Sequence, residues 1–164
     1  MNALSKEETI LGQKVLDKVR EVLKRYENYG KYLRFPYEWG ERAFRGWLVY
    51  EVFHGVLGWP IEYIVFGELF DVLFVDEYIR PKIYLETKRP GRGLVELDEF
   101  KARVRFYGTL RYAVITDGFT WSRFEVLGEK LGAQETISID EADSILVGRF
   151  FVPLHAKNFL YEVF

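Results

Sequence analysis

Four polar side chains stand in segments that otherwise read as core: Glu41, Asp71, Glu86 and Lys88. Glu86 and Lys88 lie in "IYLETKRPG", residues 83–91. A strand points successive side chains to opposite faces, so these two share a face, about 7 Å apart along the chain. Asp71 interrupts the apolar run "ELFDVLFV", residues 68–75. The short turn "DEYIRP" predicts that the two runs are antiparallel neighbours. Asp71 and Glu86 then lie within a few ångströms at one end of a hairpin. Two carboxylates that close repel each other, and burial adds a desolvation cost. A divalent cation removes both problems, and carboxylates with open positions are how proteins hold Mg²⁺. Lys88 can then orient an attacking water or stabilise charge on a phosphoryl oxygen. Together the residues suit phosphodiester hydrolysis. The bland alternative for Glu86 and Lys88 is a surface ion pair.

A preceding helix adds a fourth part. The spacing predicts a helix over 41–57, ending near Gly58 and Pro60. At about 100° per residue, Glu41 and Glu51 share the face of Phe44 and Leu48. A carboxylate on an apolar face costs energy unless something pairs with it. Either acid can support the metal, and a nearby arginine can satisfy either; Glu41 is preferred.

Positive charge gathers around the same strand. From Arg80 to Arg111 there are nine Lys/Arg and four Asp/Glu, against 14 and 21 in the remainder. An anionic partner is attracted there. Arg89, Arg92, Lys101, Arg103 and Arg105 flank the site and are the candidate phosphate contacts. Their alternative role is a solvated loop and helix face.

The elements that must position these groups follow from pattern. "SKEE", residues 5–8, reads as a capping box opening a helix over 6–26. "ENYGKYLRFPYEWG" reads as a loop. After the strands at 68–75 and 82–88, "RPGRG" breaks the chain before a helix over 95–107. "RYAVITDGFTWSRFEVL" is strand, tight turn and strand. "AQETISI" is a short strand. "DEADSILVGRFF" is a helix capped by Asp140, and the tail forms a last helix. The order predicts an α/β sandwich around a small mixed sheet. His54 and His155 are read as packing or surface residues. Trp39, Trp47, Trp59 and Trp121 are read mostly as core.

With 164 residues the chain suits one domain, residues 1–164, with a core over 41–127 and a helical extension over 140–164. It has no cysteine, which excludes disulfides and thiolate chemistry and leans towards a cytoplasmic location. "MNALSKEETI" has no apolar run of a secretory signal, and no membrane helix is expected. Two Gln, three Asn and 29% charged residues lean towards a thermophile. The net charge of −2 argues against a wholly basic nucleic-acid binder.

"VFHGVLGWP…FDVLF…IYLETKRPGRG…YAVITDGFTW" resembles the PD-(D/E)xK nuclease superfamily. Within it, the stretch is similar to the N-terminal nuclease domain of type I restriction enzyme motor subunits and their stand-alone relatives. The resemblance spans roughly Glu41 to Phe124. It implies a restriction-endonuclease-like αβββαβ core. It implies Asp71, Glu86 and the Thr87 carbonyl as Mg²⁺ or Mn²⁺ ligands, Lys88 as the catalytic lysine and Glu41 as the helix acid. Phe70 stands where the motif has proline, and the Gln-x-x-x-Tyr motif of the type I domains is absent. The expectation is a Mg²⁺-dependent DNA endonuclease of restriction or defence. A homodimer is expected, together with a separate motor or methyltransferase partner. The alternatives are a Holliday-junction or other structure-specific nuclease, and a non-catalytic module that binds nucleic acid or protein. RNA stays open as a substrate.

Overall fold

The computed structural model describes residues 3–34, 37–68 and 70–161, without the side chains of 3–5 and 37–39. Helix α1 spans Ala3–Leu33. Val15, Leu16, Val19 and Val22 recur at helical spacing and are buried. The helix is longer than the predicted 6–26. Its last turns are held by packing: Tyr29 meets Trp47 edge-on at 5.3 Å, and Arg25 lies over the same indole. Ser5 therefore lies inside the helix rather than capping it, with its side chain outside the described residues; Glu8 pairs with Arg149 instead.

Most of the predicted loop after Tyr26 is helical as well. Helix α2 spans Tyr37–Leu48 and runs into a π-helical segment, Val49–His54. The predicted helix over 41–57 is thus an α-helix followed by wider turns, which changes the direction of every side chain beyond Leu48.

Six strands form one mixed sheet in the order β1 to β6: Ile64–Phe66, Val72–Val75, Pro81–Thr87, Tyr112–Thr116, Thr120–Leu127 and Lys130–Ser138. Neighbours are antiparallel except β3 and β4, which are parallel. A parallel pair needs a crossover, and helix α3, Leu97–Val104, supplies it. Strand β1 carries no sequence signal strong enough to expect it: three partly exposed residues on an edge. Strand β2 starts at Val72, later than the predicted 68, and of the residues before it Gly67 donates its backbone N–H to Asp71 O at 3.4 Å, closing the turn from β1; residue 69 lies outside the described residues.

The sheet has apolar cover on both faces. Val72, Phe74, Ile83, Leu85, Val114 and Trp121 pack on the side of α1 and α2. Leu73, Tyr84, Ala113, Ile115 and Phe124 pack on the side of α3 through Phe100 and Val104. The β4–β5 turn uses Asp117 and Gly118, whose φ of +88° only glycine adopts freely. Helix α4, Ser144–Phe151, is capped by Asp143, whose carboxylate accepts from Leu146 N at 2.9 Å; Asp140 lies in the turn before it. The predicted final helix is two 3₁₀ turns, Val152–Leu154 and Ala156–Asn158. Among the described residues no helix is long and apolar enough to cross a membrane.

Candidate active site

The end of β3 carries the candidate site. The β2–β3 ladder ends at the pair Val72 and Leu85, and Asp71 and Glu86 are the next residues beyond it. Alternation places Glu86 on the face of Tyr84 and Thr87 on the face of Leu85. Two layers therefore clasp the end of the strand. From one side Arg103 of α3 donates to Glu86 Oε1 at 2.7 Å. From the other, Arg45 of α2 donates to Thr87 Oγ1 at 2.9 Å.

On the α2 side, Asp71 Oδ2 accepts the Thr87 backbone N–H at 2.8 Å. Its Oδ1 lies 3.3 Å from Arg45, whose guanidinium also reaches Glu41 Oε1 at 3.5 Å. Glu41, Arg42, Arg45, Gly67, Glu68 and Asp71 line a cavity of about 630 Å³. Glu51 lies elsewhere: both its oxygens pair with Arg25 of α1. Burial pushes the Asp71 carboxyl above the usual range against the pull of Arg45 and the Thr87 N–H, and nearby Glu86 pushes the same way. Glu41 is raised too, first by burial, with Arg45 opposing and Asp71 adding.

On the α3 side, the Glu86 side chain is 1% exposed. Its Oε1 accepts from Tyr84 OH at 3.1 Å as well as from Arg103. Its buried Oε2 has no hydrogen bond; the Lys88 ammonium is 3.1 Å away but outside hydrogen-bond geometry. Lys88 also reaches Glu96 at 3.4 Å. Glu96 holds a left-handed backbone, φ +60°, and its other oxygen accepts from Arg92 at 3.2 Å. Burial, and then the negative charges of Glu86 and Asp71, hold the Tyr84 phenol protonated far above its ordinary range.

The structure thus brings Asp71, Thr87 and Glu41 together around Arg45 on the α2 side, and Glu86 and Lys88 together on the α3 side, rather than turning the two acids towards each other as expected. Among the described residues, no group of three His, Asp or Glu converges as a ready-made metal cluster. The donor chemistry still fits a hard cation. Carboxylate and carbonyl oxygens are what Mg²⁺ and Mn²⁺ take, and Glu86 Oε2 is a buried acceptor without a hydrogen bond.

The flanking cations divide. Arg92 stays near Lys88 through Glu96. Arg103 points at Glu86 rather than outwards. Lys101 lies over the Phe124 ring and, with Arg105, lines a different cavity beside Lys130 and Gln134. Arg89 has an interaction partner in the fold. His54 Nδ1 lies 2.6 Å from Trp59 O, and His155 Nδ1 accepts from Lys157 N. Both serve the backbone. Trp59 and Trp121 are fully buried, and Trp39 lies outside the described side chains.

Three site residues escape the sequence reading. Arg45 had a signal, since it follows Glu41 by four residues on one helix face. Tyr84 shares a strand face with Glu86 at two-residue spacing. Glu96 had none, because its role depends on an unusual backbone angle. No family model matches the chain, and neither a curated protein nor a solved structure matches it.

Proposed function

We propose that the chain is a metal-dependent nuclease that hydrolyses DNA phosphodiester bonds. The observation that carries this reading is Glu86 Oε2, a buried acceptor with no hydrogen bond, on a residue just past the end of the β2–β3 ladder, where Asp71 also lies, and beside Lys88. Burying the charged pair of Glu86 and Lys88 is costly compared with an apolar core, so a role beyond packing accounts for it. The element order supports the reading as well. Helix α2, an antiparallel β1–β2–β3 meander, α3 and a parallel β4 follow the αβββαβ order that the nuclease resemblance implies.

Asp71, Glu86 and the Thr87 carbonyl would hold Mg²⁺ or Mn²⁺, with Glu41 close by. The ion supplies charge neutralisation at the phosphoryl oxygens and makes a water more acidic. Lys88, held between Glu86 and Glu96, orients the attacking water and stabilises charge on the phosphoryl group. Tyr84 and Arg103 fix the Glu86 carboxylate from behind, which leaves Oε2 towards Lys88. Arg92 draws the phosphate backbone in. A single site cuts one strand, so a homodimer suits duplex cleavage.

A second reading is a non-catalytic binding module on the same fold. It is favoured by the pairing of the acids with Arg45 and Arg103 and by the lack of a convergent three-ligand group among the described residues. One assay separates the two. Linear duplex, single-stranded DNA, a four-way junction and RNA are incubated with Mg²⁺, Mn²⁺ or EDTA. The nuclease reading expects metal-dependent cleavage of a DNA form, abolished in Glu86→Ala and Lys88→Ala. Binding without cleavage in any metal supports the module. Cutting confined to the junction makes the chain a structure-specific nuclease.

A further inference from the structure

The two acids of the site each keep one oxygen for the fold and one for something else. Asp71 Oδ2 takes the Thr87 N–H at 2.8 Å, which leaves Oδ1. Glu86 Oε1 takes Tyr84 and Arg103, which leaves Oε2. Glu86 Oε2 has no hydrogen bond, whereas Asp71 Oδ1 faces the Arg45 guanidinium at 3.3 Å. The same guanidinium touches Thr87 Oγ1 at 2.9 Å and Glu41 Oε1 at 3.5 Å, so one cation ties together three separate pieces of chain. Its side chain is 17% exposed and borders the cavity of about 630 Å³, which gives it room to move aside.

We propose that Arg45 is the resident cation of this site, held on the Asp71 oxygen that a divalent ion needs, so that metal entry and release of Arg45 are one exchange. The inference rests on the metal-dependent reading above. A magnesium-sized ion bonds its oxygens at about 2.1 Å in a near-octahedral shell. With such an ion on Asp71 Oδ1, a guanidinium 3.3 Å from the same oxygen stands within a few ångströms of a doubly charged cation, and the two repel. Arg45 therefore plays two roles. Without metal it neutralises Asp71 and Glu41 and keeps them in place. With metal it is freed at the cavity mouth, where its planar fork of donors suits a phosphate. The cost of displacing it weakens metal binding.

The test is a Mn²⁺ titration followed by the electron paramagnetic resonance signal of the free ion, without nucleic acid. It uses the full chain as wild type, Arg45→Ala, Arg42→Ala and Asp71→Asn, with circular dichroism melting to establish that each is folded. Arg45→Gln replaces Arg45→Ala if the latter does not fold. Arg42 lines the same cavity and controls for the loss of one positive charge. The exchange predicts that Arg45→Ala binds Mn²⁺ about tenfold more tightly than wild type, that Arg42→Ala stays within about twofold, and that Asp71→Asn binds at least tenfold more weakly. If Asp71→Asn loses the ion while Arg45→Ala matches Arg42→Ala or binds more weakly than wild type, the exchange is wrong and the metal site stands. If wild type binds no Mn²⁺, or binds it equally without the Asp71 carboxylate, the metal site and the exchange fail together.

Discussion

At the scale of single residues, the site is defined by acids kept where their charge is disfavoured. Asp71 and Glu41 both have raised carboxyl pKa values, with burial the first cause. The folded, metal-free protein therefore binds more protons than the unfolded chain between the ordinary carboxylate value and the raised one. Their contribution to stability is present below the ordinary value and is lost as pH rises through the raised value. Asp71→Asn removes that loss and keeps an acceptor for the Thr87 N–H. We expect it to stabilise the metal-free protein at pH 7 by about 1 kcal/mol, with the difference vanishing in acid; denaturant melts across pH measure it. Saturating Mg²⁺ should reverse the order, because only the wild type gains binding energy from the ion. Asp71, Glu86 and Lys88 stand out in the sequence because a charge inside an apolar strand has few innocuous explanations. Arg45 and Glu96 do not, because arginines and glutamates on helices and loops are ordinary; only the fold shows what they touch.

At the scale of elements, close contacts decide more than periodicity does. Helices α1 and α4 meet backbone to backbone. A Cβ on Gly12 would sit 1.7 Å from Ser144 O, and one on Gly148 would sit 1.8 Å from Glu8 O. Gly148→Ala should therefore destabilise the protein by about 3 kcal/mol or more, as overpacking against rigid backbone does. Chemical denaturation tests this, and a loss under 1 kcal/mol would show that the helices can slide apart. The paired Arg25 and Glu51 tie α1 to the π-helical segment after α2, and the Arg25 hydrogen bond holds the Glu51 carboxyl below its usual range. Glu51→Gln should cost about 1–2 kcal/mol at pH 7. The deficit should shrink as pH falls through the lowered Glu51 value, since wild type loses the same charge there. The helix over 41–57 was legible as apolar spacing, but the widening at Val49 was not, so Glu51 pointed wrongly towards the site. The two central strands and the turn at Asp117–Gly118 were legible from composition alone. The short edge strand β1 was not, because three half-exposed residues carry too little pattern.

At the scale of the whole molecule, the net charge of −2 conceals a basic stretch of nine Lys/Arg and four acids from Arg80 to Arg111. DNA binding should therefore weaken steeply with salt. Replacing Arg92 by Gln should lower affinity uniformly across sequences and flatten the log–log salt slope by about one. Fluorescence anisotropy with catalysis blocked by Ca²⁺ reads both, and an unchanged slope would return Arg92 to the role of a partner for Glu96. The alternation of α and β elements was enough to expect a mixed sheet between helices, and the described chain forms one, with six strands. The short turn between two apolar runs made the β2–β3 hairpin legible, but not the faces of its acids: Asp71, past the end of β2, meets Arg45 on the α2 side, while Glu86 meets Arg103 on the α3 side. The central claim is that these two residues share one divalent ion beside Lys88. Crystals soaked in Mn²⁺ and measured at the manganese absorption edge test it most directly. One strong anomalous peak is expected about 2.2 Å from an oxygen of Asp71 and an oxygen of Glu86, with Arg45 moved off Asp71. A map without that peak at saturating Mn²⁺, with Arg45 and Arg103 still bound to the two carboxylates, would contradict it.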